Sequence, residues 1–379
     1  MKLGEVCDSI SVTFDKTKQQ VVLVNTSDVF NGKVTNHALV DNKGLKGQFK
    51  KTFQKGDILY SEIRPKNKRF AFIDFNANDY VASTKLMVIR ANKKVLPQYL
   101  YQVLKSEEVI NQLQSLAESR SGTFPQITFS ELAQIDARIP ELAEQKEIAD
   151  FLKLFDDKIE LNNKINHHLA ELIDAQFAHL LEDNELYKST FSEIGEIVGG
   201  GTPSKKVDDY WNGDIPWLSP KDLSLNPAMF TGRGQNSITE LGYKKSSAKL
   251  MPRNSILFSS RAPIGYITIA ENDISTNQGF KSIIPKPEYP YTFVYELLKQ
   301  ETPSLESSAS GSTFKEVSGT HLRNHEIQIP SHSAIIKFHE SVKPLFKTIN
   351  LNEKEIQKLI EVRDLLLPTL MSGEISVSD

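Results

Sequence analysis

The strongest pattern along this chain is a heptad repeat of apolar residues near its C-terminal end. Between residues 335 and 370 the apolar positions alternate in steps of three and four, which predicts one buried stripe on a long α-helix. Asn352 and Arg363 interrupt the stripe. Pro344 should end or kink a turn, and Gly373 should stop the helix. The stripe consists of Ile335, Phe338, Val342, Leu345, Ile349, Ile356, Leu359, Leu366 and Leu370.

The same pattern occurs 190 residues earlier, and the repetition extends beyond the helix. A weaker stripe runs from Gln145 to Leu180, with Asn162 at the position of Asn352. Outside the stripe, the dipeptides at 123–124 and 139–140 return at 313–314 and 329–330. A repeat of this length is a whole domain with its connector rather than a solenoid unit. Two copies predict a pseudo-two-fold molecule that presents two similar surfaces to a roughly two-fold partner.

The repeat divides the chain into four segments. Two globular domains are expected at 1–140 and 191–330, followed by connector helices at 141–190 and 331–379. Short apolar runs broken by Gly, Pro, Asn and Asp are typical of strands. The prediction is therefore an α/β (α+β) fold. Strands are expected at 58–60, 85–89, 256–258 and 265–269, and helices at about 97–118 and about 291–300.

Each connector helix would run for about 40 residues, hence roughly 60 Å at 1.5 Å per residue. An apolar stripe of that length needs a partner, and the two connectors can cover each other as an antiparallel two-helix coiled coil. That arrangement would place one globular domain at each end of a rod. Alternatively, each helix packs on its own domain. Asn162 and Asn352 would form a buried pair that fixes register, or lie solvated beside the stripe.

Composition sets the class of protein. At 379 residues the chain exceeds a single core, and its 39% hydrophobic and 25% charged residues are ordinary for a globular protein. The single cysteine, Cys7, excludes a disulfide framework and a cysteine-based zinc site. Residues 1–5 form no apolar signal core, and no stretch approaches the roughly 20 apolar residues of a membrane span. A cytoplasmic location is predicted.

The net charge of −3 conceals an uneven distribution. Residues 1–140 carry 20 Lys+Arg against 14 Asp+Glu, whereas residues 141–190 carry 5 against 12. Basic residues beside glycine-rich loops suit phosphate contact, although they could also merely solubilise a surface. The DNA-binding candidates in the first domain are Lys43, Lys46, Lys50, Lys51, Arg64, Lys66, Lys68 and Arg69. Those in the second are Lys205, Lys206, Lys221, Arg233, Lys244, Lys245, Arg261 and Lys281.

Arg261 has two interpretations. Pro263 could hold its guanidinium toward a phosphate or a guanine edge, or the side chain could instead cap carbonyl groups within the domain.

The sequence contains no convincing catalytic motif. The glycine-rich segment 199–205 lacks the spacing of a phosphate loop. Residues 226–229 are one residue short of the loop with which amino-methyltransferases hold a flipped base, and 144–146 match only the end of a nuclease motif. The histidines have no acidic or cysteine partners at metal-binding spacings. We therefore expect no catalytic site, metal or cofactor on this chain.

Several long strings resemble a known family. In the second domain they occupy 200–204, 210–223, 259–266 and 276–281, and the connectors add 139–148, 329–330 and 365–375. These strings resemble type I restriction–modification specificity subunits, whose order of domain, helix, domain and helix matches the repeat. The resemblance covers the whole chain. The first domain lacks the Gly-Thr-Pro-Ser and Trp-rich strings, keeping only the strand at 56–59 and the turn at 121–124.

The resemblance implies a non-catalytic subunit that recognises double-stranded DNA. It implies two methyltransferase subunits, which use S-adenosylmethionine to methylate adenine, and two restriction subunits that need ATP and Mg²⁺; whether restriction subunits accompany this chain is left open. The target would be two half-sites, one per domain, with a spacer set by the helices. The alternatives are a stand-alone methyltransferase or nuclease, which would need a cofactor loop, and a coiled-coil scaffold that binds only protein.

Overall fold

The computed structural model describes residues 1–30, 32–43, 47–119, 125–261, 263–310 and 315–377. Lys46 and the expected turns at 121–124 and 313–314 lie outside these ranges. The chain divides into two compact units. Unit 1 comprises Met1–Lys158 and Lys358–Asp379, and unit 2 comprises Ile159–Gln357.

The apolar runs of unit 1 form short strands, including those expected at 58–60 and 85–89. Its strands are β1 (Cys7–Ile10), β2 (Gln20–Val24), β3 (Val29–Phe30), β4 (Lys33–Val34), β5 (Leu39–Asp41), β6 (Phe49–Lys51), β7 (Ile58–Ser61), β8 (Phe70–Phe72), β9 (Tyr80–Ser83) and β10 (Leu86–Ala91). Its own helices are α1 (Pro97–Lys105), α2 (Glu107–Ser119) and α3 (Phe129–Leu132), followed by the long helix α4 (Leu142–Glu182). Short 3-10 helices occupy Leu3–Glu5, Thr26–Asp28 and Pro65–Asn67.

The helix expected at about 97–118 is two helices, so that prediction was wrong at Ser106. This residue leaves the helical region, with φ −63° and ψ 144°. Its hydroxyl accepts a hydrogen bond from the amide of Val109 at 3.3 Å. A serine that satisfies a free amide in this way favours a new helix start.

Unit 2 is also built from short strands and helices. The strands expected at 256–258 and 265–269 are present as β17 and β18. Its strands are β11 (Tyr187–Thr190), β12 (Gly195–Gly199), β13 (Trp211–Leu218), β14 (Phe230–Thr231), β15 (Asn236–Ile238), β16 (Leu250–Met251), β17 (Ile256–Phe258), β18 (Ile267–Ala270), β19 (Ile274–Thr276), β20 (Lys281–Pro285) and β21 (Glu326–Ile329). Its own helices are α5 (Phe191–Ile194), α6 (Pro220–Leu225), α7 (Glu240–Lys244), α8 (Tyr291–Ser307) and α9 (Gly319–Asn324), and α10 (His332–Ser372) follows. A 3-10 helix occupies Asp208–Tyr210. Helix α8 continues past the expected end near 300, because Leu305 extends its buried face.

The two units share one sheet topology, apart from an additional edge strand, β14, in unit 2. The first sheet runs β1-β10-β7-β8 in unit 1 and β12-β20-β17-β18-β14 in unit 2. The second runs β5-β2-β9-β6 and β15-β13-β19-β16, and in both units its central pair is parallel while its outer pairs are antiparallel. The first domain therefore has the fold of the second, although it lacks the second domain's sequence strings.

Pro344 was expected to end or kink a turn, and it does not end the last helix, because α10 continues through this residue to Ser372. Proline removes one backbone hydrogen bond, but Val342 and Phe346 on either side are fully buried. Burial of these neighbours holds the turn in place. Gly373 follows the helix with φ +79°, which confirms it as the stop.

The two long helices pair within each unit and also pack on that unit's core. In unit 2, α10 residues such as Val342 and Phe346 share a cluster with Ile173 and Phe177 of α4 and with Phe293 of α8. In unit 1, Leu152 of α4 and Leu367 of α10 lie in one cluster with the residues of α1 and α2. Residue numbers rise along α4 while those of the bonded residues fall along α10, so the pairing is antiparallel. The bonded pairs are Asn162–Glu355, Asn166–Asn352 and Gln176–Ser341. The apolar stripes are thus buried both against each other and against the core of each unit.

Asn162 and Asn352 do not bond to each other. Asn162, which is 1% exposed, donates to Glu355 at 2.8 Å. Asn352 donates to Asn166 at 2.8 Å. Asn162 still fixes the register of the helix pair, because shifting either helix would leave its buried amide without a partner. Asn352 is only partly buried and constrains the register less.

Candidate nucleic-acid interface

The basic stretch of unit 1 is spread over three places in the fold. Lys43 and Lys50 are exposed on and beside the connection from β5 to β6, and Lys46 lies outside the described residues. Lys51 points inward. The remaining residues, Arg64 to Arg69, form the turn from β7 to β8. Density of lysines along the sequence therefore does not translate into one surface.

Lys51 holds the unit together. Its ammonium group donates to the carbonyls of Thr84 and Leu86 at 3.2 and 2.8 Å, and its side chain is only 15% exposed. Burial lowers the pKa of Lys51, while Glu62 at 3.9 Å opposes that shift. A lysine that ties β6 to the start of β10 has a structural role.

The turn from β7 to β8 is packed against α2. Arg64 and Lys68 flank its 3-10 helix in the left-handed region, at φ 46° and 52°. The amide of Lys66 donates to the Gln114 side chain of α2 at 3.1 Å, and Lys68 is paired with Glu107.

Arg69 is also engaged within unit 1. It donates to the Ser27 carbonyl at 2.8 Å and lies over the ring of Phe30 at 5.2 Å. These contacts fix the turn's conformation.

In unit 2, six of the predicted basic residues lie near one or the other end of β13. Lys205 and Lys206 are exposed on the connection that leads into β13, and Lys244 and Lys245 are exposed at the end of α7. Lys221 begins α6 and Arg233 precedes β15, both after the other end of β13. Only the first four therefore lie on neighbouring loops.

Arg261 and Lys281 meet at one carboxylate. The guanidinium of Arg261 lies 3.0 Å and the ammonium of Lys281 3.4 Å from Glu316. Burial would raise the pKa of Glu316, but hydrogen bonding and charge from Arg261 and Lys281 outweigh it and the pKa lies below its usual range. Arg261, half exposed, pairs with a carboxylate rather than capping carbonyl groups.

The family-like strings of unit 2 build turns. The indole N–H of Trp217 donates to the Gly201 carbonyl at 2.9 Å, and Trp211 packs edge-on against Trp217 at 5.1 Å. A Cβ on Gly201 would meet the backbone of Ser247 at 2.4 Å, so only glycine allows this approach. Phe280 is fully buried. These residues define the fold around the exposed lysines.

Three lysines on the loops next to these basic residues are not among the DNA-binding candidates predicted from the sequence. Lys16 and Lys18 belong to the connection from β1 to β2, and Lys249 to the connection from α7 to β16. They stand apart from the dense basic segment, and only the sheet topology brings them together with the other lysines.

The weak catalytic motifs have structural roles. Gln145, fully buried, accepts a hydrogen bond from Leu96 and donates to the carbonyls of Lys94 and Pro140.

The loop at 226–229 serves as an anchor for α10. The amides of Met229 and Phe230 donate to Glu353 at 2.7 and 3.0 Å. Burial raises the pKa of Glu353 to about 7, although these two hydrogen bonds favour its charged form. Across the described ranges, His, Cys, Asp and Glu form no group suited to a metal ion, and no helix is long and apolar enough to cross a membrane.

The comparisons with known proteins agree on one family. The family model of the type I restriction modification DNA specificity domain matches residues 1–171 and 184–361. The type I restriction enzyme HindI specificity subunit of Haemophilus influenzae is 33% identical, over 98% of this chain and 98% of that protein. The MjaIX specificity subunit of Methanocaldococcus jannaschii is 42% identical over 45% of this chain and 39% of that protein.

A solved structure shares the fold. The crystal structure of a type I restriction–modification S subunit from M. genitalium matches with a TM-score of 0.57 at 17% identity, covering 98% of this chain and 95% of that chain.

Proposed function

This chain belongs to the family of type I restriction–modification DNA specificity subunits, and we propose that it is the DNA-recognition subunit of such a complex. One unit would bind each half of a bipartite target. The observation that carries this proposal is the repeated sheet topology, because two domains of one fold suit two half-sites. We further propose that exposed loop lysines of both units contact DNA phosphates, which position a protein on a duplex.

The proposed chemistry belongs to partner subunits. Two methyltransferase subunits would supply S-adenosylmethionine-dependent methylation of adenine, and restriction subunits, where present, would use ATP and Mg²⁺. The chain itself would bind none of these cofactors and would act in the cytoplasm, where chromosomal DNA and the cofactors are found. The roles found for Gln145 and for the 226–229 loop support a non-catalytic subunit, since both motifs are used within the fold.

The test is a methylation map of a host genome with and without this chain, in the presence of a methyltransferase subunit. We expect adenine methylation at two short motifs separated by a constant spacer, and only when the chain is present. The purified chain alone should transfer no label from S-adenosylmethionine. Methylation by the chain alone would favour the stand-alone methyltransferase, and an unchanged map together with no DNA binding would favour the protein scaffold.

A further inference from the structure

The shared topology identifies loops that are equivalent in the two units even where their sequences differ. Strand β2 of unit 1 corresponds to β13 of unit 2, since each is paired with an antiparallel edge strand and a parallel inner strand. The connection entering β2, residues 11–19, therefore corresponds to residues 200–210. By the same logic, the connection from β5 to β6 corresponds to that from β15 to β16.

In unit 1 the two connections lie against each other. The Asn42 side chain donates to the carbonyls of Lys16 and Lys18 at 3.2 and 2.8 Å. The amide of Phe14 donates to the carbonyl of Lys50 at 3.0 Å. The described parts of the two loops are thus in contact beside the start of β2.

In unit 2 the equivalent connections also touch. Gly201 lies against the backbone of Ser247, and the amide of Thr239 donates to the carbonyl of Tyr210 at 3.0 Å. The side chain of Thr239 caps α7 by accepting from the Gly242 amide at 3.0 Å. These contacts place the 200–210 loop next to the lysines of α7.

Both surfaces carry an excess of lysine. The described residues of 11–19 and 39–50 in unit 1 carry four lysines, Lys16, Lys18, Lys43 and Lys50, against Asp15 and Asp41, and Lys18 is paired with Asp79 at 2.7 Å. Those of unit 2 carry five lysines, Lys205, Lys206, Lys244, Lys245 and Lys249, against Asp208, Asp209 and Glu240. Both thus have net positive charge in a chain whose total is −3, which suits a polyanion.

The other basic segment of unit 1 lacks such a counterpart. Its turn from β7 to β8 holds Arg64, Lys66, Lys68 and Arg69, whereas residues 259–266 of unit 2 contain only Arg261, which is paired with Glu316. If both units bind DNA, a surface that is basic in only one of them cannot be their common reading surface. The connections meet that requirement in both.

Exposed apolar side chains accompany the lysines. In unit 1, Leu39 and Val40 of the edge strand β5 are 56% and 40% exposed. In unit 2, Leu241 of α7, in the connection that follows the equivalent edge strand β15, is 46% exposed. Apolar side chains can contact the thymine methyl group in the major groove, so these residues add sequence discrimination to a surface that otherwise binds phosphate.

We propose that both units read double-stranded DNA with this one equivalent face, here called the reading face: residues 11–19 and 39–50 in unit 1, and residues 200–210 and 239–250 in unit 2. Residues 44–46 have no part in the proposal. The lysines contact phosphates, and Leu39 and Leu241 contact base edges. This inference rests on the proposed function and specifies which residues perform it.

The first experiment measures how the binding of a mixed-sequence DNA duplex depends on salt, using the full chain in complex with methyltransferase subunits. Two variants remove the reading-face lysines: Lys16→Ala/Lys43→Ala/Lys50→Ala and Lys205→Ala/Lys206→Ala/Lys245→Ala. The matched control, Lys66→Ala/Lys93→Ala/Lys94→Ala, removes the same charge from exposed positions elsewhere in unit 1. Each reading-face variant should flatten the slope of log affinity against log salt by about 2–3, and the control by less than about 1.

The outcomes distinguish a failure of the reading face from a failure of the proposed function. A control that flattens the slope as much as the reading-face variants, or reading-face variants that behave like the parent, would overturn the reading face alone. A parent complex that binds no DNA would overturn the proposed function as well.

The second experiment tests base contact with Leu39→Gln and Leu241→Gln. Both residues are exposed, so unchanged melting temperatures are expected. Methylation maps should show that each substitution alters one half-site and leaves the other intact. Maps identical to the parent's for both variants would contradict the base contacts.

Discussion

Arg363 of α10 donates to Asp156 of α4 at 2.7 Å, and this partly buried ion pair belongs to unit 1. Lys105 of α1 donates to the second carboxylate oxygen at 2.8 Å. Burial works to raise the pKa of Asp156, but Lys105 and Arg363 outweigh it and hold the pKa below its usual range. Arg363, which interrupts the apolar stripe, also pairs with Asp364 at 2.7 Å and is therefore part of an ion cluster with Asp156, Lys105 and Asp364.

The equivalent positions in unit 2 are apolar. A shift of 190 residues takes Lys105 to Tyr295 and Asp156 to Phe346, and takes Arg363 back to Ile173. Tyr295 and Phe346 are in edge-to-face contact, with ring centroids 5.8 Å apart, and all three residues belong to one core cluster. The same place in the fold is filled by ions in one unit and by aromatic and aliphatic groups in the other.

This comparison predicts opposite effects of partial and complete replacement. Asp156→Ala removes the carboxylate that the two partly buried cations share and leaves Arg363 with Asp364 alone, so it should cost about 2 kcal/mol in the free energy of unfolding. The triple variant Lys105→Tyr/Asp156→Phe/Arg363→Ile installs the residues of unit 2 and should be neutral or stabilising. Urea denaturation followed by circular dichroism measures both.

The exposed ion pair Lys146–Asp150 provides the control for that experiment. Asp150→Ala should change stability by less than about 1 kcal/mol, as for other surface pairs. A triple variant less stable than Asp156→Ala would show that the unit 1 site does not accept the packing of unit 2.

Glu296 on α8 predicts a pH-dependent stability. Its side chain is 3% exposed, and burial raises the pKa from 4.5 to about 8, with Lys299 opposing and Asp174 adding to the shift. The folded state thus favours the protonated form, so this contribution to stability is complete below about pH 4.5 and is lost as the pH rises toward 8. Glu296→Gln should raise the melting temperature by about 2–4 °C at pH 8.5 and leave it unchanged at pH 4.

Exposed Glu288 offers the matched substitution for calorimetry at both pH values. Glu288→Gln should have little effect at either pH. An equal gain from Glu296→Gln at both pH values would mean that the ionisation of Glu296 does not contribute to the pH dependence.

Cys7 is predicted to report on the unfolding of unit 1. It is 1% exposed, and burial, with a further effect of Asp8, raises the pKa of its thiol to about 12. Because the thiolate is the reactive form, a disulfide reagent should leave the native protein unmodified and label one site in denaturant. Labelling of the native protein within minutes would indicate that β1 opens readily.

The proposal that the helices set the spacer of the DNA target predicts the effect of lengthening them. Adding one heptad after Asn163 and one after Glu353 keeps the apolar stripe in register. Each helix gains about 10 Å at 1.5 Å per residue, which corresponds to roughly three base pairs at 3.4 Å each. Methylation mapping should find the same half-sites with a longer spacer. Changed half-sites at an unchanged spacing would contradict the proposal.

The sequence predicted the two long helices well but not where the lysines of the two domains lie in the fold, for one physical reason. Any insertion in a paired helix shifts its buried face, so the 190-residue offset is kept from Ile159 and Ile349 onward. In the domains, loops tolerate insertions: the equivalent strands β7 and β17 begin at Ile58 and Ile256, 198 residues apart. A fixed offset therefore could not align these strands of the first domain with those of the second.

The sequence also did not predict which way each basic side chain points. Lys50 and Lys51 are neighbours in the sequence, but one faces solvent and the other donates to backbone carbonyls, because successive side chains of a strand point to opposite faces. Charge density alone could not separate them.

The contrast between the ionic and apolar clusters bears on association between copies of the chain. If α4 of one copy paired with α4 of another in the same antiparallel register, Asp156 would face Ile173 instead of Arg363. Pairing of two α10 helices would likewise set Arg363 against Phe346. Each such contact buries a charge beside an apolar group, which is costly. The clusters therefore penalise homotypic assembly and favour the pairing of each α4 with an α10.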